Sequence, residues 1–214
     1  MAGSGSLYLV DGDAMARRQM ARQLAERGFD VWPFLTPNEL LDLLPKLRPS
    51  AILIGLGDDC ADGLDLIADL AGRGLNWPVI AYSSAADVAT AVAAMRLGAI
   101  DFLEAPADPA RLAGALQAAA ERLERLATLG EAANEARTKL GRLTAREREV
   151  ASALLAGGCN KTVAHRLGIS VRTAEMHRAH LMAKLEVRNI AEAAVLLART
   201  GFADGTPPTL ASAA

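Results

Sequence analysis

The sequence is poor in aromatic residues, in cysteine and in long apolar runs. Only 4% of its 214 residues are aromatic while 51% are hydrophobic, so a folded core must be built mainly from aliphatic side chains. The two cysteines, Cys60 and Cys159, are too few for a disulfide framework and do not have metal-ligand spacing. We expect two free thiols in a reducing compartment, with a redox switch as the alternative.

Two further absences bear on cellular location. No apolar run reaches the roughly 18 residues that a membrane-spanning helix requires. Residues 1–6 lack a basic region followed by a long apolar one, which a secretion signal would have. We therefore expect a cytoplasmic protein, long enough for one large domain or two small ones.

The charged residues are unevenly distributed. The net charge of −2 argues against a protein that coats nucleic acid along its whole surface. Residues 160–184, however, hold five lysines and arginines against one glutamate, a local charge of +4 that leaves −6 for the rest of the chain. All three histidines lie in the same segment. One compact basic segment on an acidic chain is typical of a phosphate-binding surface, although an ordinary solvated helix can carry the same charges.

The first 125 residues alternate short apolar runs with amphipathic segments. Each apolar run is short enough for a buried strand, and Gly or Pro follows most of the helical patterns. Five strands separated by helices predict a doubly wound α/β domain with a five-stranded parallel sheet, whose site lies at the carboxyl ends of the strands. The predicted strands are 7–10, 31–34, 51–54, 79–82 and 100–103, and the predicted helices are 14–27, 37–47, 63–72, 86–97 and one that begins after Pro109.

The fifth helix has the apolar spacing of a coiled coil. Its apolar positions follow a 4-3-4-3 rhythm, at Leu112, Leu116, Ala119, Leu123 and Leu126. The early positions are expected to cover the sheet, and those beyond about residue 118 to contact a partner helix. Gly130 and the stretch 131–139 indicate either a linker or a frayed continuation of the helix.

From Leu143 the pattern changes to four short helices. Residues 144–147 form a capping box that opens the first, and residues 157–158 close it. Asn160, Ser170 and Asn189 are predicted to cap the next three, which end at Gly168, near Leu185 and at Gly201. We therefore divide the chain into an α/β domain at 1–125, a helical linker at 126–141, an all-α four-helix domain at 142–202 and a disordered tail at 203–214.

Only two residues, Gly168 and Ile169, join the second and third of these helices. A glycine there can adopt the left-handed conformation that ends a helix sharply, so the two helices are predicted to form a helix-turn-helix. A small wedge of apolar side chains between the two helices is predicted to fix the angle at which they cross. It consists of Val163, Ala164, Leu167, Ile169, Val171 and Ala174.

The third helix presents a polar face of the size that fits a DNA major groove. Ala174, Leu181 and Leu185 are predicted to face inward. Candidates for phosphate contacts are Lys161, Arg172, Thr173, Arg178 and Lys184, and candidates for base contacts are Glu175, Met176 and Ala179.

Residues 143–198 resemble the LuxR/FixJ-type DNA-binding domain. The resemblance is carried by the motifs LTxRExEV, NKxxAxxLGIS and RTxExHRxxxMxKL. It implies a four-helix module that binds DNA as a dimer, with the fourth helix in the dimer contact. It also implies a DNA-facing role for Lys161, Ser170, Arg172, Thr173, His177, Arg178 and Lys184, while Cys159 stands where small polar residues are usual.

Residues 6–125 resemble a response-regulator receiver, a flavodoxin-like fold, through LVDGD, GLDLI, PVIAYSS and AMRLGAIDFLEAP. The resemblance implies two acids for Mg²⁺, an aspartate that accepts a phosphoryl group, a hydroxyl and a lysine. Asp11 fits the first acid and Ser83 the hydroxyl. The other positions depart from the pattern: Gly12 replaces the second acid with Asp13 one step further on, Gly55 replaces the acceptor, and Ala105 replaces the lysine.

We therefore expect a pseudo-receiver that keeps the fold without the phosphorylation chemistry, joined to a DNA-binding domain. The expected partners are double-stranded DNA and a second copy of the chain, with no cofactor, no metal and no enzymatic activity. Three alternatives remain open: an adaptor that binds another regulator or kinase, a regulator that responds to a small ligand or to oxidation of Cys60, and phosphorylation of Asp58, Asp59 or Asp62 after a register shift.

Overall fold

The computed structural model of the protein describes residues 5–57, 60–85 and 87–202. The chain forms two compact units, Met1–Ala127 and Thr128–Ala214. The predicted disordered tail at 203–214 lies outside the described residues, as do Asp58 and Asp59. Within the described ranges, no helix is both long enough and apolar enough to cross a membrane.

The first unit contains the predicted parallel sheet, in the strand order β2-β1-β3-β4-β5. The order reverses between β1 and β3, so the crevice at the carboxyl ends of these two strands is the expected position of a site. The strands are β1 (Ser6–Val10), β2 (Asp30–Phe34), β3 (Ala51–Gly55), β4 (Val79–Ser83) and β5 (Asp101–Glu104). The helices are α1 (Ala14–Ala25), α2 (Pro37–Leu43), α3 (Ala61–Gly72), α4 (Val88–Leu97) and α5 (Pro109–Gly141).

Helices cover both faces of the sheet, and each face has an aliphatic core. Ile52 and Ile54 of β3 belong to one core, with Leu66 of α3. Leu53, between them, belongs to the other, with Leu112 of α5. This alternation explains why β3 is apolar throughout, because both of its faces are buried.

Helix α2 is shorter than predicted. It ends at Leu43, and a 3₁₀ turn follows at Leu44–Lys46. Pro45 explains the difference, because it has no backbone N–H to donate and its ring clashes with the carbonyl of the preceding turn.

Helix α5 is one continuous helix of 33 residues, which corrects the expectation of a frayed continuation at 131–139. A glycine within a helix costs about 1 kcal/mol relative to alanine, so Gly130 alone does not end it. Beyond Gly130 the helix is held by packing and charge: Ala136 and Leu140 are buried in the core of the second unit. Lys139 also lies 2.9 Å from a carboxylate oxygen of Glu186.

The second unit contains the four predicted short helices, α6 (Ala145–Leu155), α7 (Asn160–Leu167), α8 (Val171–Leu185) and α9 (Ile190–Ala198). The capping box of Thr144 and Glu147 is confirmed, and so are the caps provided by Ser170 and Asn189. Helix α9 ends three residues before Gly201, which adopts a positive φ of 71°.

Two predictions for this unit were wrong. Asn160 does not cap α7, because it is the first helical residue and Cys159 holds the capping position, with no side-chain bond of the capping type. Val171 does not belong to the apolar wedge, because it begins α8 on the outer side and is 42% exposed. Val163, Ala164 and Ala174 are buried in the core as expected.

Candidate DNA-binding surface and receiver cleft

The turn between α7 and α8 has the geometry of a helix-turn-helix. Gly168 adopts a left-handed φ of 62°, and the N–H of Ile169 donates to the carbonyl of Ala164 at 3.0 Å. Ser170 Oγ then accepts a hydrogen bond from the N–H of Thr173 at 3.0 Å, which opens α8. A left-handed glycine followed at once by a new cap turns the chain sharply between two helices.

Helix α8 has one buried stripe and one open face. Ala174, Leu181 and Leu185 are buried. Met176 is 47% exposed and therefore available to contact a base. The exposed predicted residues are Lys161, Ser170, Arg172, Glu175, Met176 and Ala179, and the half-buried ones are Thr173, His177, Arg178 and Lys184.

Lys184 differs from the other basic candidates, because it already has a buried partner. Its Nζ lies 2.7 Å from Oε2 of Glu147, whose side chain is only 4% exposed. Burial by itself raises the pKa of Glu147, but hydrogen bonds from Lys184 and Thr144 outweigh it, so the pKa of this carboxyl lies below its usual value. The ammonium of Lys184 therefore neutralises a charge inside the unit.

Arg178 also contacts a residue of another helix. Its Nη1 donates to Oδ1 of Asn160 at 3.1 Å. This contact joins the middle of α8 to the first residue of α7, where the sequence predicted only a cap.

Cys159 lies beside this contact, at the start of α7, and its thiol is exposed. The backbone N–H of Thr162, followed by its hydroxyl, lowers the pKa of the Cys159 thiol. Cys60 is only partly exposed, and its Sγ donates to the carbonyl of Gly57 at 3.1 Å.

In the first unit, five of the six predicted receiver residues surround one cleft at the carboxyl ends of β1, β3 and β4. A cavity of about 250 Å³ is lined by Asp11, Asp13, Gly55, Ser83 and Ala105 together with other residues. Gly12 lies outside it and lines the neighbouring cavity of about 500 Å³. The registers of β3 with β1 and with β4 place Gly55 at the end of β3, opposite Tyr82.

Asp11 is buried, and its carboxylate is already bonded within the cleft. Oδ1 accepts from the N–H of Asp13 at 2.8 Å, and Oδ2 accepts from the hydroxyl of Tyr82 at 2.5 Å. Burial, followed by the hydrogen bond to Asp11, raises the pKa of Tyr82 well above its ordinary value, so the phenol remains a donor at physiological pH. In addition, Nη1 of Arg17 donates to the backbone carbonyl of Asp11 at 2.5 Å.

The space beside Gly55 belongs to Asp11. A β-carbon at position 55 would overlap the Oδ2 atom of Asp11 and lie 3.0 Å from its Cβ, closer than side chains normally approach. A side chain at the acceptor position is therefore incompatible with the present rotamer of Asp11.

Two of the remaining receiver residues, Asp13 and Ser83, already make hydrogen bonds to backbone groups of the chain. Asp13 caps α1 by accepting from the N–H groups of Met15 and Ala16, and the backbone bond to Ala16, then that to Met15, lowers the pKa of its carboxyl. Ser83 Oγ donates to the carbonyl of Leu56 at 2.7 Å. Ala105 has no charge to offer a phosphoryl group.

Mg²⁺ requires an octahedral oxygen shell that usually includes one or two carboxylates, and this cleft lacks two of the carboxylates that the receiver pattern supplies, at positions 12 and 55. The carboxylates of Asp11 and Asp13 are engaged as described, and Gly12 and Gly55 supply none. Among the described residues, no group of three or more acidic, histidine or cysteine side chains is placed to hold a metal ion.

Sequence reasoning missed the contacts of Tyr82 and Arg17 with Asp11. It also missed those of Asn160 with Arg178 and of Glu147 with Lys184, although Asn160 and Glu147 were named as capping residues. Tyr82 is 71 residues from Asp11, and Glu147 is 37 residues from Lys184. No local spacing links such pairs, so only the fold brings them together.

Comparison with known proteins gives the same two-part organisation. Residues 7–117 match the model of the response regulator receiver domain, and residues 141–197 match that of the bacterial regulatory proteins of the luxR family. Among solved structures, the response regulator StyR is 26% identical with a TM-score of 0.69, and the alignment covers 92% of this chain and all of that one. Full-length FixJ from B. japonicum is 32% identical with a TM-score of 0.54, over 92% of this chain and 97% of that one.

Among characterised proteins, the transcriptional regulatory protein FixJ of Bradyrhizobium diazoefficiens is 32% identical over 94% of this chain and 98% of its own length. The C4-dicarboxylate transport regulator DctR of Rhodobacter capsulatus is 34% identical over 89% of this chain and 98% of its own. Both relatives are transcription regulators and are matched over nearly their whole length. The chain therefore belongs to the FixJ/LuxR family of DNA-binding response regulators, and it is a transcription regulator and not an enzyme.

Proposed function

We propose that this regulator binds specific DNA sites as a cytoplasmic homodimer without phosphorylation of its N-terminal domain. In this proposal residues 1–125 are a pseudo-receiver, residues 126–141 a helical linker and residues 142–202 the DNA-binding domain. The observation that carries the proposal is the packing of the Asp11 carboxylate, held by Tyr82, into the space beside Gly55.

Three physical arguments favour a receiver that does not take up a phosphoryl group. Position 55 has no carboxylate to form an acyl phosphate, and its space is filled by Asp11. Position 105 has no ammonium to pair with the new charge, so even a misplaced phosphoryl group would lack its counter-charge. Asp62 is exposed in the first turn of α3, and β3 pairs with β1 without the register shift that would bring Asp62 to the acceptor position.

On the DNA side, we assign the exposed and half-buried residues to two roles. Lys161, Ser170, Arg172, Thr173 and Arg178 contact phosphates, and Glu175, Met176 and His177 lie against base edges, where a carboxylate can accept from cytosine and a methyl group can contact thymine. Lys184 was expected to contact phosphate, but we assign it to holding α8 against α6 because its charge is paired with Glu147.

Two measurements on the full-length chain test this proposal. Selection from a random pool of DNA duplexes by the unphosphorylated chain should yield a conserved sequence, and the absence of any preferred sequence would refute specific binding. Incubation with acetyl phosphate should leave the intact mass unchanged, with a response regulator that keeps its acceptor aspartate as the positive control. A stable addition of one phosphoryl group to this chain would refute phosphorylation independence.

A second candidate function is an adaptor that captures another regulator or a kinase. The observation that favours it is the exposed apolar side chains of α4, where Val88 is 81%, Val92 44% and Met95 46% exposed. Substitution of Arg178 by alanine separates the two candidates. Loss of DNA binding together with loss of regulation in the cell supports the transcription regulator, whereas unchanged regulation supports the adaptor.

A further inference from the structure

The sequence predicted that Asn160 caps α7, but in the structure its side chain contacts Arg178 instead. Asn160 is the first residue of α7, yet its side-chain oxygen accepts from Nη1 of Arg178, 18 residues further along the chain. The cap of α7 is Cys159, which makes no side-chain capping bond. The amide of Asn160 therefore contacts helix α8 instead of capping its own helix.

The position of Arg178 makes this contact relevant to DNA binding. Arg178 is half-buried on α8, between the buried stripe and the exposed face. A guanidinium group has five N–H donors, and one bond to Asn160 leaves the others for a further acceptor. Lys161, which follows Asn160 directly, is exposed, so the contact brings two positive charges to the same end of α7.

We propose that Asn160 is a positioning residue for DNA binding, which holds the Arg178 guanidinium in the orientation that meets a DNA phosphate. The inference rests on the proposed function of α8 as the helix that enters DNA. It extends that function by assigning a role to a residue that need not touch DNA itself.

The physical advantage is pre-organisation. A free arginine side chain loses rotamer entropy when it is fixed at an interface, and this loss weakens binding. An arginine already held by a neutral amide has lost part of that freedom before DNA arrives, and it keeps its full positive charge. An aspartate at the same position would hold the guanidinium more strongly but would neutralise it.

A double-mutant cycle on the full-length chain tests the proposal, with the duplex selected by the unaltered chain as the probe. We expect Asn160→Ala to weaken DNA binding by about threefold to tenfold for each copy of α8 that contacts DNA. This range corresponds to the entropy lost when one long, freely rotating side chain is fixed at an interface. In a chain that carries Arg178→Ala, the same substitution should have almost no further effect. Equal losses in both backgrounds would overturn the proposal.

The matched control replaces Arg172, an exposed arginine on the same helix whose side chain makes no hydrogen bond to another described residue. Asn160→Ala and Arg172→Ala should be additive, because the two side chains do not share a contact. Coupling as large as that with Arg178 would show a general loss of structure and would overturn the assignment.

Asn160→Asp separates positioning from a purely structural role. It should preserve or raise the thermal midpoint of the second unit while weakening DNA binding and lowering its salt dependence, because the paired arginine no longer releases a counterion. Binding as tight as that of the unaltered chain would overturn the proposal. If the unaltered chain selects no duplex at all, the proposed function itself fails, and this outcome is distinct from an additive cycle.

Discussion

Replacement of Lys184 by methionine separates a structural lysine from one that contacts DNA. The substitution keeps the length and apolar part of the side chain but removes the ammonium that lies 2.7 Å from Oε2 of Glu147. The buried carboxylate would then keep its hydrogen bond from the backbone N–H of Thr144 but lose its positive partner. We expect the second unit to be destabilised while DNA contacts change little.

The magnitude follows from the exposure of the two partners. Loss of one partner from a fully buried ion pair costs about 3–5 kcal/mol, whereas exposed pairs contribute about 0.2–1 kcal/mol. The side chain of Glu147 is 4% exposed and that of Lys184 is 36% exposed, so we expect an intermediate cost, about 2 kcal/mol. For a unit of this size, each kcal/mol shifts the midpoint by about 4–8 °C, so the unfolding transition should fall by roughly 8–16 °C.

Calorimetry of the full-length chain measures this shift, and tryptophan fluorescence provides an internal control. Trp32 and Trp77 both lie in the first unit, so their fluorescence midpoint should not move. Lys161→Met is the matched variant, because Lys161 is exposed on α7. It should leave the calorimetric midpoint unchanged and reduce the slope of log K against log salt by about 0.9 for each lost phosphate contact. If Lys184→Met instead leaves the midpoint unchanged and reduces that slope, the assignment of Lys184 is wrong.

Three further predictions follow from the same contacts. Gly55→Ala should destabilise the first unit by about 1–3 kcal/mol in the tryptophan-detected transition. It should cost less in a chain that also carries Asp11→Ala, where only the β-carbon of residue 11 remains close; equal costs in both backgrounds would contradict the packing argument. Arg172→Ala should weaken DNA binding and lower its salt slope by about 0.9 per contact with no change in the midpoint, and an unchanged slope would remove Arg172 from the phosphate contacts. Folding lowers the pKa of Glu147, so the stability that this carboxylate gives the folded unit is complete above its unfolded pKa and is lost as the pH falls through its folded pKa. The calorimetric difference between the unaltered and Lys184→Met chains should therefore shrink below about pH 4. A difference that stays constant to pH 3 would contradict this origin.

Sequence patterns that span only about four neighbouring residues predicted most of the strands and helices. The apolar runs gave all five strands, and the box of Thr144 and Glu147 gave the start of α6, because both depend on neighbouring residues. The end of α2 was missed although Pro45 marks it. Helix α5 continues through Gly130 because its later residues pack in a separate core, which a helix propensity does not reveal.

The sequence predicted which residues line the receiver cleft, but it did not predict the contacts that these residues and Lys184 make. The spacing of the receiver motifs gave Asp11, Gly55 and Ser83, which the fold brings to one cleft. The hydrogen bond from Tyr82 to Asp11 joins two strands and could be known only from the register of the sheet. In the same way, Lys184 has the sequence position of a DNA contact, and only the packing of α6 against α8 reveals its carboxylate partner.

The affinity of the full-length chain for its selected duplex, measured by fluorescence anisotropy with and without beryllofluoride and Mg²⁺, tests the central claim most directly. Because position 55 has no carboxylate and the space beside it is filled by Asp11, we predict that the two affinities agree within about twofold, which is less than 0.5 kcal/mol. A tenfold or greater tightening in the presence of beryllofluoride would show that the cleft still receives a phosphoryl group and would contradict the account.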